Sequence, residues 1–289
     1  MSILTIYYQR NYIKYLFPFV VLLLITSIIY IWTIDRFPSE PDLCQLLKGK
    51  ADQRNSSRRW WEWTCLIEQE WDKELDYDCE DIRSIGNYYI CFDEPYKPKP
   101  PCLVYSFGIA NDFRFDDAMA KVGCQVYSFD PSMNVNDHQR SERVQFLNMG
   151  ISAENIENFV PFENSYTRGS DKTWKILTLA SIKKLLGHEN KTLDILKLDV
   201  ETYEWAIMKQ LLKDGSLRSV KQMTIEWHIF TTEPPHSEHQ NMFQTYMNLK
   251  KEGFKSFYVD SASRYHNSRY FNSQADNSLI NSIFQKSEK

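Results

Sequence analysis

Four short runs of this 289-residue chain carry residue types that could do chemistry. In the first, Tyr105-Ser106-Phe107-Gly108-Ile109-Ala110-Asn111-Asp112, an apolar strand enters a turn with one glycine. In the second, Phe129-Asp130-Pro131-Ser132, an apolar run stops on a carboxylate about twenty residues later. Together they resemble the first half of a nucleotide-binding βαβ unit. The glycine admits backbone close to a ligand, and the acid accepts both hydrogens of a ribose diol. A dinucleotide fingerprint uses three glycines so that a helix N-terminus can grip pyrophosphate. Here Gly108 stands alone, with Ala110 and Asp112 at the next positions, which argues against a nicotinamide oxidoreductase. A cofactor with a ribose but no phosphate fits this turn, and S-adenosylmethionine is the common one. The expected cofactor contacts are Ser106, Phe107, Gly108, Ile109, Asn111, Asp130 and Pro131.

The third run is Leu193-Asp194-Ile195-Leu196-Lys197-Leu198-Asp199-Val200-Glu201-Thr202-Tyr203-Glu204-Trp205. A buried strand with Lys197 in its middle ends on Asp199. Acids in the following first helical turn, such as Glu204, are favoured by the helix dipole whatever the function. Methyl transfer from a sulfonium calls for a carboxylate near the cofactor's ammonium or the acceptor, so Asp199 is expected at both the cofactor and the reacting centre. The fourth run, Thr224-Ile225-Glu226-Trp227-His228, ends a strand on a carboxylate and an imidazole. His228 is the expected general base, with Asp199 and Glu226 as alternatives. No metal is expected. His138, His188, His236 and His239 make no evident ligand set, and His236-Ser237-Glu238-His239 reads as a helix start.

These runs need a scaffold that brings strand ends together. From Cys102 onward the pattern alternates as in a parallel sheet covered by helices. Strands are expected at Leu103–Phe107, Gln125–Phe129, Val144–Met149, Leu193–Leu198, Gln222–Trp227, Lys255–Val259 and Leu279–Gln285. Helices are expected at Asp116–Val122, Leu179–Leu186, Tyr203–Lys213 and Ser237–Lys251, and residues 150–172 read as an irregular loop. Before the sheet, Trp60, Trp63, Leu66, Ile67 and Trp71 recur at helical spacing and predict an amphipathic helix. Pro95, Pro98, Pro100 and Pro101 mark a linker.

A net charge of −4 with scattered Lys and Arg gives no basic face for nucleic acid, so none is expected as a partner. From Leu16 to Ile34 no residue is charged, close to the roughly twenty a membrane-spanning helix needs. The stretch is longer than the apolar centre of a signal peptide, and no small-residue cleavage site follows. An uncleaved anchor over residues 16–34 is therefore predicted, after a cytoplasmic tail over residues 1–15. Arg10 and Lys14 precede it while Asp35 and Arg36 cancel behind it, favouring a type II arrangement. Cys44, Cys65, Cys79, Cys91 and Cys102 crowd before the first strand, and Asn55 and Asn190 begin glycan acceptor patterns. Both features suit a disulfide-forming lumenal or extracellular compartment. The predicted domains are a Trp- and Cys-rich extension with its Pro-rich linker at 35–100, then a catalytic domain at 101–289.

The segments around Gly108, Asp130 and Leu196-Lys197-Leu198-Asp199-Val200-Glu201 resemble the methyltransferase-like protein 24 family, whose members are membrane-anchored. The Lys-Leu-Asp-Val-Glu stretch is also similar to FkbM-type O-methyltransferases. The resemblance implies a class I S-adenosylmethionine-dependent methyltransferase domain, a Rossmann-like α/β fold with a mostly parallel, seven-stranded sheet whose last strand is antiparallel. It places Gly108 against the cofactor's methionine part, Asp130 against its ribose and Asp199 beside the transfer centre. The expected reaction is methyl transfer to an oxygen, with a nitrogen as the second choice, of an acceptor that the sequence leaves open among a sugar, a lipid, a small molecule and a protein. Two positions depart from the pattern: Ser106 where an acid is usual, and Thr202 where FkbM-type proteins carry glycine. The thinned glycine turn also fits an alternative, a catalytically silent, membrane-tethered binding module that keeps the fold.

Overall fold

The fold is that of a computed structural model, which describes residues 44, 58–161, 163, 167–168, 173–230, 232–262 and 274–284. The predicted tail, the anchor at 16–34 and Asn55 lie outside the described residues. Among the described residues no helix is long and apolar enough to cross a membrane. The chain divides into units Met1–Leu46 and Leu47–Lys289, and every element below belongs to the second.

Helix α1 (Trp60–Trp71) leads into a hairpin of β1 (Ile82–Ile85) and β2 (Tyr88–Cys91). Then follow β3 (Cys102–Phe107), α2 (Arg114–Val122), β4 (Cys124–Phe129), β5 (His138–Gln139), β6 (Val144–Leu147), β7 (Gly150–Ile151), β8 (Ile156–Phe159) and β9 (Trp174–Leu177). The remainder is α3 (Leu179–Leu185), β10 (Leu193–Leu198), α4 (Glu204–Asp214), β11 (Val220–His228), α5 (His239–Lys251), β12 (Phe254–Ala262) and β13 (Gln274–Asn281). The main sheet runs β12-β13-β11-β10-β3-β4-β6-β5. Strands β6, β4, β3, β10 and β11 are mutually parallel, and β13 enters antiparallel between β11 and β12. This is the expected Rossmann-like α/β sheet, with the two-residue antiparallel β5 added at its edge.

The central strands form because they are apolar on both faces. All six residues of β3 and of β10 are buried, as parallel strands covered on both sides require. Helix α2 stops at Gly123, whose φ of 107° is the left-handed cap conformation that glycine adopts without a Cβ penalty. Cys102 and Cys124, paired in register at the starts of β3 and β4, are joined by a disulfide.

The segment before the sheet packs into the same core. Tyr88, Ile90 and Phe92 join Val104, Phe115 and Val126 in one buried cluster. Gln222 of β11 pins this segment in place: its amide accepts from the Cys91 N–H and donates to the Cys91 and Tyr96 carbonyls. A Cys79–Cys91 disulfide ties the last residue of β2 back to the chain just ahead of β1, enclosing the hairpin. The predicted aromatic helix is α1, with Trp63, Leu66, Ile67 and Trp71 buried and Trp63 against Phe243 of α5.

Two expectations need correction. Residues 150–172 are not wholly irregular, because β7 and β8 flank β9 in a small three-stranded sheet. The β1–β2 hairpin had no counterpart in the sequence reading. Its strands are four residues each; β1 is almost entirely exposed, and β2, though mostly buried, is too short to show a period.

Candidate active site

From β3 the chain steps outward through β4 to β6 in one direction, and from β10 to β11 in the other. The crevice outside the carboxyl ends of β3 and β10 is therefore a topological switch point, where open α/β sheets bind ligands. A cavity of about 720 Å³ lies there.

The turn after β3 forms one wall. Gly108 has a φ of 77°, and a Cβ at this position would sit 1.6 Å from the Asp199 carbonyl oxygen. The glycine is thus demanded by backbone packing against the end of β10, in addition to any ligand. Its N–H donates to the Phe129 carbonyl at 3.0 Å. Lys197, buried in the middle of β10, reaches under the turn and donates to the carbonyls of Phe107 at 3.2 Å and Gly108 at 2.5 Å. The same ammonium lies 3.4 Å from Asp199 Oδ2. Tyr88 completes the clamp: its hydroxyl donates to Asp199 Oδ2 at 2.9 Å, and its ring lies over Lys197 Nζ at 5.0 Å. Burial, then the Asp199 and Glu226 charges, push the Tyr88 hydroxyl pKa well above its ordinary value, so it stays a donor.

The second wall is acidic. His228 ends β11 with Nδ1 3.1 Å from Glu204 Oε1 and Nε2 3.4 Å from Glu226 Oε1. Gln274 donates to Glu226 Oε1 at 2.7 Å. Burial alone would discharge the His228 ring, but Glu204 above all, then Glu226 and Glu201, hold its pKa well above the ordinary histidine value. These acids favour the protonated ring, which works against a general base at this position. Glu201 is better matched: burial, reinforced by Asp199, Glu204 and Glu226 and opposed by His228, pushes its carboxyl up to about 7. Asp276, opposite Glu226 on β13, is likewise pushed up to about 7 by burial and by Glu226 and Asp199.

Both pKa values are raised in the fold, so the stability they contribute is complete below about pH 4 and lost as pH rises through 7. The melting temperature should fall between pH 5 and pH 8, with a shallower fall in Glu201→Gln. An unchanged slope in that variant would remove Glu201 from this accounting.

Glu201 and Thr202 have φ values of 53° and 79°. A β-branched residue in this region is strained by about 1–2 kcal/mol. Thr202 occupies the position where the FkbM resemblance expects glycine. Thr202→Gly should therefore stabilise the fold by about 0.5–1 kcal/mol, after the glycine's own entropic cost. Chemical denaturation checks this, and a destabilised variant would show that contacts of the threonine outweigh the strain.

Of the predicted site residues, Phe107, Gly108, Asp130, Pro131, Asp199, Glu226 and His228 line the cavity together. Ser106, Ile109 and Asn111 do not. Ser106 is fully buried inside the sheet, Ile109 turns its side chain into the core, and Asn111 is exposed beyond the turn. Asp130 is in place, and it also braces the turn. Its Oδ2 accepts from the N–H groups of Ile109 and Ala110 at 2.9 and 2.8 Å. Its Oδ1 accepts from the Ser132 N–H and hydroxyl at 2.8 and 2.6 Å. A carboxylate has about four lone-pair sites, and all four are occupied here, two by the turn after β3 and two by Ser132 just beyond β4. Sequence reasoning missed Glu201, whose acidic neighbours made it look like a helix-start residue. It also missed Tyr88, for which no sequence signal exists.

A family profile described as "Methyltransferase domain" matches residues 46–273, most of the chain. The chain belongs to this methyltransferase-domain family. Among curated relatives, the probable methyltransferase-like protein 24 of Rattus norvegicus is 30% identical over 129 residues, covering 44% of this chain and 33% of the relative. Its Homo sapiens counterpart is 27% identical over 146 residues, covering 48% and 37%. The resemblance carried by the three motifs thus stands, and each match spans about a third of the relative's own length. Among solved structures, M. capricolum TrmK in complex with S-adenosyl-homocysteine is similar at 6% identity and a TM-score of 0.33, covering 66% of this chain and 67% of that one. That likeness is too loose to argue from, and the methyltransferase-domain fold is read instead from the sheet order and the family match.

Proposed function

We propose that this chain is a membrane-anchored, S-adenosylmethionine-dependent methyltransferase that delivers a methyl group to an oxygen of an acceptor in the cavity. The observation that carries this reading is the meeting of the Gly108 turn with Asp199, Glu226 and His228 at the switch point of a methyltransferase-family domain. The cavity volume lies within the roughly 300–1,000 Å³ typical of small-molecule sites. Its apolar wall, including Phe129, Pro131 and Ile151, suits a purine, and its acidic wall suits a cation. When bound, S-adenosylmethionine supplies a methyl group activated by its sulfonium.

The chain's own residues supply alignment and a dry, charged surround, which is most of what an in-line displacement needs. Tyr88 and Lys197 fix Asp199 as oriented negative charge. Glu201 is matched to take a proton from an acceptor hydroxyl near neutral pH. Asp130 acts one step back, holding the turn. Calorimetric titration of the full chain with S-adenosylmethionine tests the proposal, with binding expected in the micromolar range typical of such substrates. No heat and no thermal shift at millimolar ligand would favour the silent binding module, a reading supported by the saturation of Asp130.

The anchor at 16–34 and a lumenal or extracellular body belong to the same proposal. They are supported by the uncharged run, by the absence of a free cysteine among the described residues, and by the exposure of Asn190. A glycosidase-insensitive chain in cells would count against the lumenal placement.

A further inference from the structure

We propose that Asp199, Glu226 and His228 form a binding site for a divalent cation at the carboxyl edge of the sheet. Each residue offers one ligand atom, and these atoms lie within 4.8 Å of one another. His228 Nε2 and Glu226 Oε1 are 3.4 Å apart. That is long for a charge-assisted hydrogen bond, typically about 2.7–2.9 Å. It is close to the roughly 3.0–3.4 Å between neighbouring ligands that each sit about 2.1 Å from one ion. An ion there replaces the proton on Nε2.

A second observation comes from behind the imidazole. Glu204 is fully buried and aims Oε1 at His228 Nδ1, the carboxylate–histidine pairing that commonly orients metal-ligating rings. Its other oxygen, Oε2, is buried with no hydrogen-bond partner. Oε1 also accepts from the Val200 N–H at 2.7 Å, so Oε2 is the one oxygen of this buried carboxylate without a donor, and a cation on the far side of the ring adds positive charge near it. On Asp199, the contacts from Tyr88 and Lys197 both fall on Oδ2, which leaves Oδ1 available.

Two carboxylates and one imidazole suit a hard to borderline ion, and Mn²⁺ accepts both ligand types. All three residues line the cavity, so the ion's remaining positions open onto it. A hydroxyl-bearing acceptor is the class of molecule such an ion would hold and polarise. That last step rests on the methyl-transfer reading. The ion site does not.

The test is a Mn²⁺ titration of the metal-free full chain, without cofactor, followed by electron paramagnetic resonance. One ion per chain is expected, competed by Mg²⁺, with a nitrogen coupling from His228 in the electron spin-echo modulation. Glu226→Gln and Asp199→Asn should each weaken binding at least tenfold. A folded chain that binds no Mn²⁺ at millimolar concentration overturns the site, as does bound Mn²⁺ lacking the nitrogen coupling. The coupling is read on the unsubstituted chain, so a variant that fails to fold does not remove the test. Because no cofactor is present, failure here and failure of S-adenosylmethionine binding are separate results.

Discussion

Gly108→Ala should cost the domain about 3–5 kcal/mol and abolish ligand binding in the cavity, the range reached when a substitution forces backbone apart in a packed interior. The added methyl would lie 1.6 Å from the Asp199 carbonyl oxygen, far inside contact distance. Neither partner can yield cheaply. The Gly108 N–H is committed to Phe129, its carbonyl to Lys197, and Asp199 follows directly on the fully buried β10. Alanine also dislikes the local φ of 77°, at about 1–2 kcal/mol. Urea unfolding measures the first effect and calorimetry the second. A variant within about 1 kcal/mol of the parent would mean that the turn can relax, and that contact with β10 does not explain the glycine.

The same residue shows what the sequence could and could not reveal. Gly108 was legible as special because it breaks an apolar strand, yet its stated reason, access for a ligand, is joined by one that only the fold exposes. Long buried elements read well. The expected bounds of the strand at Leu193–Leu198 are those of β10, and the four helices expected after Cys102 correspond to α2 through α5 with shifts of two residues or fewer at each end. These segments combine a hydrophobic period with a cap or breaker, so local and global preferences agree.

Short strands read poorly. β1 and β8 have four residues each, none of them fully buried, and no alternation survives at that length. Their place is set by tertiary contacts.

Within the site, strand-end acids were legible because topology alone gathers carboxyl ends at a switch point. Asp199, Glu226 and His228 needed no more than that. Tyr88 could not be found this way, since its hydroxyl meets Asp199 across 111 positions of sequence. The Trp- and Cys-rich segment before the sheet thereby enters the site directly, through a hairpin stapled by Cys79–Cys91 and Gln222. Ser106, Ile109 and Asn111 share the turn's neighbourhood but do not line the cavity, because their side chains lie in the sheet, in the core and in solvent.

Asp130→Ala distinguishes the two roles this carboxylate has been given. A ribose anchor would leave the free domain's stability nearly untouched and weaken only cofactor binding. The hydrogen bonds predict the reverse order of effects. Removing the side chain strands the N–H groups of Ile109, Ala110 and Ser132, the first of them fully buried, and frees the turn that positions Gly108 against Asp199. Bonds to a charged acceptor contribute about 1.5–3 kcal/mol each and overlap, so a loss of about 3–5 kcal/mol is expected without ligand. Asp130→Asn should lose less, because one amide oxygen still accepts while its NH₂ group faces donors. Unfolding of the ligand-free variants measures the order. If Asp130→Ala unfolds like the parent while its affinity for S-adenosylmethionine drops, the diol assignment is right and the carboxylate is freer in solution than these bonds allow.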